Sequence, residues 1–222
     1  MSELPLLNES EQRVLGVLIE KSLATPQYYP LTLNQVVTAC NQKSNRDPLL
    51  SMMEDEVEGV LTTLANRGLA TQVFASGSRT GKYRQELTSM LEMDGQSMAV
   101  LAEFLLRGAQ TLGELRSRAS RMKAIPDMNA LKEVLDGMAQ RNPPLARRLT
   151  PPGIQRGVRW GHLLQEAGNL ELEVVPEQEN VAAVVKPSSP VQMNRNTEAR
   201  LEQLEQKIAN LEDRLQVLEE RQ

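Results

Sequence analysis

An internal repeat constrains the fold of this chain more than any other feature of its sequence. Three pieces of one helical pattern, Val60-Leu61, Leu64-Ala65 and Arg67, recur as Val134-Leu135, Met138-Ala139 and Arg141. Every piece is displaced by the same 74 residues. A pattern that recurs at one fixed displacement indicates a single structural unit used twice. We therefore expect two copies of a unit of about 75 residues, which lies within the usual size range of small domains.

Two further helices precede this pattern in each half of the chain. The first has apolar residues at i, i+1, i+4 and i+5, at Val14-Leu15 with Leu18-Ile19 and again at Val100-Leu101 with Phe104-Leu105. In the first half, Asn8 and Glu11 are spaced to cap its start. The second helix begins with a capping box, formed by Thr32 with Gln35 and repeated by Thr111 with Glu114. Each half is thus predicted to contain three helices.

Two extended segments follow the third helix of each half and flank a loop that contains glycine. They cover residues 69–74 and 82–87 in the first half, and residues 145–149 and 158–164 in the second. Lys82-Tyr83 aligns with Arg159-Trp160. Three helices followed by a β-hairpin form the winged-helix arrangement, a variant of the helix-turn-helix. The predicted fold class is mainly α with small β-hairpins (α+β), built as two tandem winged-helix domains at residues 1–90 and 91–165.

The remaining residues differ in composition from the repeats. Residues 166–196 are rich in glutamate and proline and are predicted to be a linker. Residues 197–222 carry an apolar seam with spacing 3, 4, 3, 4, 3 that predicts a coiled-coil helix: Leu201, Leu204, Ile208, Leu211, Leu215 and Leu218. Opposite charges flank this seam and favour a parallel homodimer. The alternative is that this amphipathic helix packs back onto its own chain.

The amino-acid composition excludes several classes of site. One Cys and one His rule out a disulfide within the chain and any metal site that needs several such ligands. Metal sites built only from carboxylates stay possible, but we expect no metal and no cofactor. No apolar run approaches the roughly 20 residues of a membrane span. We therefore expect no membrane partner and a cytoplasmic protein. His162, in the last predicted strand, is interpreted as a partly exposed structural residue, and Cys40 as a small buried hydrophobic residue. No residue is predicted to be catalytic.

The net charge of −4 conceals a basic middle between two acidic ends. Residues 1–106 carry −5, residues 107–160 carry +7 and residues 161–222 carry −6. Clustered Lys and Arg side chains bind polyanions by neutralising phosphates. The basic middle supplies eight candidate phosphate ligands: Arg116, Arg118, Arg121, Lys123, Arg147, Arg148, Arg156 and Arg159.

The third helices of the two copies argue against base-specific binding. The first begins with four acidic residues, Glu54, Asp55, Glu56 and Glu58, which would repel phosphate. The second presents a mixed set of polar side chains, which favours contacts to the DNA backbone over readout of bases. Two alternatives stay open for the basic middle. Its arginines could neutralise the acidic helix or linker within the protein, or they could bind a separate acidic protein.

Two long motifs resemble a known family. The first runs from Tyr29-Pro30-Leu31-Thr32 through Asn34 and residues 36–43 to Asn45-Arg46, and the second covers residues 105–111 and 113–119. Both closely resemble the YceH family of uncharacterised bacterial proteins over roughly residues 8–164. The resemblance implies a tandem winged-helix fold and a cytoplasmic setting, but it implies no activity. The polar cluster of the first motif is interpreted as helix caps and a loop, with a binding surface as the alternative: Asn34, Asn41, Gln42, Asn45 and Arg46.

The sequence therefore favours a binding protein over an enzyme. The leading hypothesis is a dimeric, regulator-like DNA-binding protein whose second repeat contacts the phosphate backbone. The competing hypothesis is an adaptor for protein–protein interaction, similar to the tandem winged-helix accessory subunits of chromosome-organising complexes, with no binding to nucleic acid.

Overall fold

The computed structural model describes residues 4–74, 77 and 80–165. These residues lie within one compact unit, Met1–Pro176. The predicted linker and the apolar seam of the predicted coiled coil lie outside the described residues: Leu201, Leu204, Ile208, Leu211, Leu215 and Leu218. The domain boundaries after residues 90 and 165 stay predictions.

The described chain is a mixture of α-helices and short β-strands, as expected for the α+β class. The first repeat contains α1 (Glu9–Ala24), β1 (Leu31–Thr32), α2 (Leu33–Cys40), α3 (Glu54–Asn66), β2 (Ala70–Phe74) and β3 (Gly81–Gln85). A single 3₁₀ turn, Pro26–Tyr28, lies between α1 and β1, and a short helix, α4 (Leu87–Leu91), connects the two repeats. The second repeat contains α5 (Gly95–Arg107), β4 (Gln110–Thr111), α6 (Leu112–Ala119), α7 (Met128–Gln140), β5 (Ala146–Arg148) and β6 (Arg159–His162).

Each repeat forms an antiparallel three-stranded sheet with the same topology. The strand orders are β1-β3-β2 and β4-β6-β5. Leu31 pairs with Tyr83 in the first sheet, and Gln110 pairs with Trp160 in the second. This register confirms the alignment of Lys82-Tyr83 with Arg159-Trp160. The two-residue strands β1 and β4 were not predicted, because two residues carry no periodicity that a sequence pattern can reveal.

The predicted helix caps are present. Asn8 and Glu11 form a reciprocal capping box at the start of α1, with both hydrogen bonds at 2.9 Å. Matching boxes begin α2, with Thr32 and Gln35, and α6, with Thr111 and Glu114. These side chains satisfy backbone N–H groups that the first turn of a helix leaves without a partner. Helices α1, α2 and α6 therefore begin where the sequence indicated.

The repeated arginine has the same role in both copies. Arg67, just after α3, donates to the carbonyl of Leu6 at 2.6 Å and forms an ion pair with Glu11 at 2.6 Å. Arg141, just after α7, donates to the carbonyl of Leu91. Each arginine thus ties the end of the third helix to the segment that precedes the first helix of its own repeat. This shared contact explains why the residue recurs at the fixed displacement of 74.

The two repeats share one hydrophobic core, with α1 and α5 at its centre. Residues Val14–Ile19 of α1 and Met98–Leu106 of α5 are buried without interruption. The helices approach closely at Gly16, where an added methyl group would lie 3.0 Å from Leu105 Cβ and 3.0 Å from Leu106 Cγ. Such contacts are too short for an unperturbed core, so the absence of a side chain at Gly16 permits this packing.

His162 lies in the last strand, β6, as predicted, but its side chain is only 1% exposed, so the expected partial exposure was wrong. Phe104 of α5 lies against it, with ring centroids 6.4 Å apart. Nδ1 of His162 accepts the backbone N–H of Leu164 at 3.1 Å, whereas Nε2 is buried without a hydrogen bond. Burial lowers the pKa of His162 to about 4. A buried neutral imidazole is a poor general base near pH 7.

The contact at Gly16 predicts opposite effects for the same substitution in two helices. Gly59→Ala, on α3, meets no atom within 4 Å and should raise the free energy of unfolding by about 1 kcal/mol through helix propensity. Gly16→Ala should lower the free energy of unfolding by about 1 kcal/mol. Overpacking of the core costs about 2 kcal/mol, which exceeds the gain of about 1 kcal/mol in helix propensity. Urea unfolding of both variants measures the difference. Equal stabilisation by the two substitutions would contradict the close approach of α1 and α5.

The burial of His162 predicts acid destabilisation. The pKa of His162 is lower in the folded chain than in the unfolded chain. Between about pH 6.5 and pH 4, His162 therefore binds a proton in the unfolded chain but not in the folded one. The shift should remove roughly 3 kcal/mol of stability between pH 7 and pH 4. His162→Gln introduces the residue type of the aligned Gln85 and should abolish this component. Denaturant unfolding of both proteins across this range measures it, and parallel pH profiles would refute the prediction.

Candidate functional site

The eight candidate phosphate ligands of the second repeat differ in exposure. Four are exposed: Arg121, Lys123, Arg148 and Arg156. Four are half-buried: Arg116, Arg118, Arg147 and Arg159. They come from α6, from the turn that follows it, and from the β5–β6 hairpin. The β5–β6 hairpin therefore carries one part of this basic set, and α6 with the turn after it carries the other.

Several of these arginines are held by the protein itself. Arg116 donates to the carbonyl of Pro126 at 2.6 Å, and Arg159 donates to the carbonyl of Ala109 at 2.8 Å. Arg148 donates to the carbonyls of Pro151 and Ile154 in its own hairpin loop. These contacts leave fewer donors for a ligand and give the three arginines a structural role. The sequence alone could not separate them from the other basic residues, because the carbonyls they bind carry no signal in the side-chain pattern.

Three basic side chains stay available. Within the described ranges, the side chains of Arg121, Lys123 and Arg156 make neither a hydrogen bond nor an ion pair. The methylene groups of Lys123 lie against Gly95, the first residue of α5, so its stem is supported by the fold. Cations on an exposed surface with no internal partner are suited to neutralise phosphates.

Arg118 connects this basic set to the shared core. Its guanidinium donates to Oε1 of Gln110 at 2.7 Å and forms an ion pair with Glu114 at 3.3 Å. Hydrogen bonds from the backbone and hydroxyl of Thr111 hold the Glu114 carboxylate and lower its pKa, and Arg118 lowers it further. The capping box of α6 thus also positions an arginine of the candidate surface.

The polar cluster of the first repeat is largely used to build a loop. The amide of Asn41 donates to the carbonyl of Met52 and accepts its N–H, both at 2.8 Å. Arg46 has a fully buried side chain that pairs with Glu20 at 2.7 Å and donates to the carbonyl of Ala39 at 3.0 Å. Burial alone would raise the pKa of Glu20, but its contacts with Arg46 lower it.

The contacts of this cluster favour the loop interpretation over an open binding surface. Gln42 accepts from Arg46 at 3.0 Å, and Asn45 accepts from Arg107 at the end of α5. Asn34 differs from the rest because it is exposed near the start of α2. The loop between α2 and α3 is therefore fixed from within the first repeat and also from the second.

The acidic start of α3 is exposed. Its four carboxylates make no ion pair in the part of the chain that the structure describes: Glu54, Asp55, Glu56 and Glu58. Glu56 accepts a hydrogen bond from Ser10 of α1 at 3.1 Å. Within the described residues, these carboxylates therefore form no ion pair with arginines of the second repeat, as neutralisation within one chain would require. The carboxylates complement the dipole at the start of α3.

Cys40 is buried at the end of α2, as expected for a small hydrophobic residue. Burial raises the pKa of its thiol to about 12. The thiolate is the reactive form of cysteine, so a thiol with this pKa is a poor nucleophile near pH 7.

A polar cavity of about 360 Å³ lies where the two repeats meet. It was not predicted, because its lining comes from separated segments: Glu9, Gln12, Arg13, Asp47, Pro48, Leu105, Gly108 and Gln165. Arg13 is buried and donates to the carbonyls of Cys40, at 3.1 Å, and Pro48. Burial, and then the charge of Arg46, lower its pKa. Carbonyls of the first repeat therefore solvate this charge in place of a carboxylate.

In the described segments, every helix is too short or too polar to cross a membrane.

Comparison with known proteins gives one family. Residues 7–155 match the model described as "Protein of unknown function, DUF480". A UPF0502 protein of Geobacter sulfurreducens is 47% identical over 191 residues, which cover 81% of this chain and 87% of that protein. A UPF0502 protein of Klebsiella pneumoniae is 40% identical over 218 residues, which cover 96% of this chain and 95% of that protein.

These matches include both motifs that resembled the YceH family, which is the same family under another name. The resemblance inferred from the sequence is therefore confirmed, and the chain belongs to the DUF480, or UPF0502, family.

Proposed function

We propose that the chain is a tandem winged-helix protein that binds the phosphate backbone of duplex DNA through its second repeat. The order helix, strand, helix, helix and two strands occurs twice, and the last strand pairs with both others in each sheet. This order and topology support the winged-helix assignment. In that fold the third helix meets a groove of DNA and the wing contacts its backbone.

The observation that carries the proposal is the set of exposed, unpartnered cations Arg121, Lys123 and Arg156. Arg156 lies in the loop between β5 and β6, which corresponds to the wing, whereas Arg121 and Lys123 follow α6. Both are positions from which a winged-helix domain reaches phosphates that flank a groove. The first repeat is less suited to approach DNA because its third helix begins with carboxylates.

Backbone contacts fit this surface better than readout of bases. The exposed face of α7 carries Asn129, Lys132, Glu133, Asp136 and Gln140. Its two carboxylates would repel the phosphates at the edges of the groove. Contacts to phosphate position a protein on DNA without specifying sequence. We therefore propose a protein that binds duplex DNA with little sequence preference.

We further propose that the chain acts as a parallel homodimer in the cytoplasm and is not an enzyme. The charge pattern around Leu201 to Leu218 supports a parallel coiled coil. A dimer would present two basic surfaces to one duplex, and the second contact would then form at a high effective concentration.

A second candidate function is an adaptor that binds a basic protein through the first repeat. Leu49 and Met53 are 63% and 69% exposed, and they adjoin the acidic start of α3. Exposed apolar side chains beside a cluster of one charge are typical of protein interaction sites. A protein partner on the first repeat would leave the basic surface of the second repeat free.

The DNA proposal predicts salt-dependent binding that depends on particular side chains. The full chain should bind a fluorescent duplex of random sequence, and its affinity should fall steeply with salt concentration. Lys123→Glu and Arg156→Glu, each made alone, should weaken binding about threefold to tenfold and reduce the slope of log affinity against log salt by about 1. Fluorescence anisotropy at several salt concentrations measures both quantities.

Arg84→Glu is the matched control, because Arg84 is an exposed arginine of the first repeat and the substitution changes the charge by the same amount. It should leave the affinity within about twofold. Arg116→Glu is a poor test, since Arg116 holds the turn at Pro126. Absence of salt-sensitive binding by the unmodified chain would remove the DNA hypothesis and favour the adaptor.

A further inference from the structure

The loop between α2 and α3 of the first repeat meets the end of α5. Arg107 donates from Nη2 to Oδ1 of Asn45, and the backbone N–H of Asp47 donates to the carbonyl of Leu106 at 2.9 Å. Asn45 has a positive φ of 61°, a conformation that asparagine tolerates better than most residues. The loop is therefore held in a defined position beside the second repeat.

A chain of hydrogen bonds joins Arg107 to Arg118. Arg107 pairs with Glu103 at 3.4 Å. Gln110 donates to the carbonyl of Glu103 at 3.0 Å and accepts from Arg118 at 2.7 Å. Arg121 follows in the next turn, where its N–H donates to the carbonyl of Arg118 at 3.1 Å. The charges of Arg118 and Arg121 both act on Arg107, so the three arginines lie near one another at the junction of the repeats.

Positive charge is in excess at this junction. Glu103 and Glu114 are the carboxylates that pair with Arg107 and Arg118, and Arg121 has no partner among the residues described. Burial lowers the pKa of Arg107, the charge of Glu103 raises it, and the charges of Arg118 and Arg121 lower it again. Mutual repulsion of this kind is relieved by a bound anion.

The first repeat adds a cation in the loop that Arg107 binds. Lys43 is exposed and lies two residues before Asn45 in the loop that Arg107 binds. Arg46, four residues after Gln42, is paired with Glu20 and is fully buried, so it is not available to a ligand. The charges at this junction that reach solvent are therefore the exposed Arg121 and Lys43, the partly exposed Arg118 and, to a smaller extent, Arg107, whose side chain is 10% exposed.

We propose that Arg107, Arg118 and Arg121 form a binding site for one phosphate group, with Lys43 of the first repeat at its edge. Guanidinium groups bind phosphate through forks of N–H donors, and two of these three are fixed in place by Asn45 and Gln110. The phosphate could belong to a DNA backbone or to a small phosphate compound. Where it belongs to DNA, the inference rests on the function proposed above and extends the DNA surface onto the first repeat.

The direct test uses inorganic pyrophosphate and the full chain. Backbone amides of Asn45, Arg107 and Arg121 are followed by NMR while pyrophosphate replaces chloride at constant ionic strength. We expect saturable shifts at these amides, and at least tenfold weaker binding in Arg121→Gln. Arg121 has no structural partner in the described chain, so this variant should fold normally. Arg84→Gln, a matched exposed arginine, should bind within about twofold of the unmodified chain.

A second arm separates the two sources of phosphate. Arg121→Gln and Lys43→Gln are titrated with the fluorescent duplex beside the unmodified chain. Weaker DNA binding by both variants, together with the pyrophosphate shifts, supports a site within the DNA surface. Pyrophosphate shifts without any DNA binding support the site for a small phosphate compound and remove the proposed function. Absent shifts, or shifts that survive Arg121→Gln, overturn the site, whatever the outcome with DNA.

Discussion

The packing of α1 against α5 is the contact on which the rest of this structure depends. Each repeat could have formed a separate core, but both place their first helix in a common one, and Gly16 permits the close approach. Because these helices are buried on nearly all sides, the position of one repeat fixes that of the other. The cavity and the junction of arginines both follow from this shared core, since each draws residues from the two halves.

Buried charges reinforce the same junction. Four charged side chains are buried or nearly buried between helices: Arg13, Arg46, Glu20 and Glu103. A buried charge destabilises the fold unless it has partners. Arg13 uses backbone carbonyls, and Arg46 uses Glu20 and the end of α2. These contacts fix the loop between α2 and α3 in one geometry. The same loop then meets Arg107, so internal stabilisation and the charge pattern of the surface are linked.

The sequence predicted the helices and hairpins of the fold, but it could not show which basic side chains bind the protein's own carbonyls. The repeat, the capping boxes and the alignment of the hairpins are local patterns, and each is present. The strands β1 and β4 and the short helix α4 are too brief to leave a periodic signal. The burial of His162 depends on Phe104, which is 58 residues away in the sequence and close only after folding. Likewise, Arg116 and Arg159 differ from Arg121 only through carbonyls that tertiary structure brings near.

The central claim is that phosphate binds to the second repeat and to its junction with the first. Hydrogen exchange of the full chain, with and without duplex DNA, tests this claim without any substitution. We expect slower exchange at residues 43–47, 107–123 and 154–159, and no change along α3. Slower exchange along α3 with unchanged exchange in those three segments would contradict the claim.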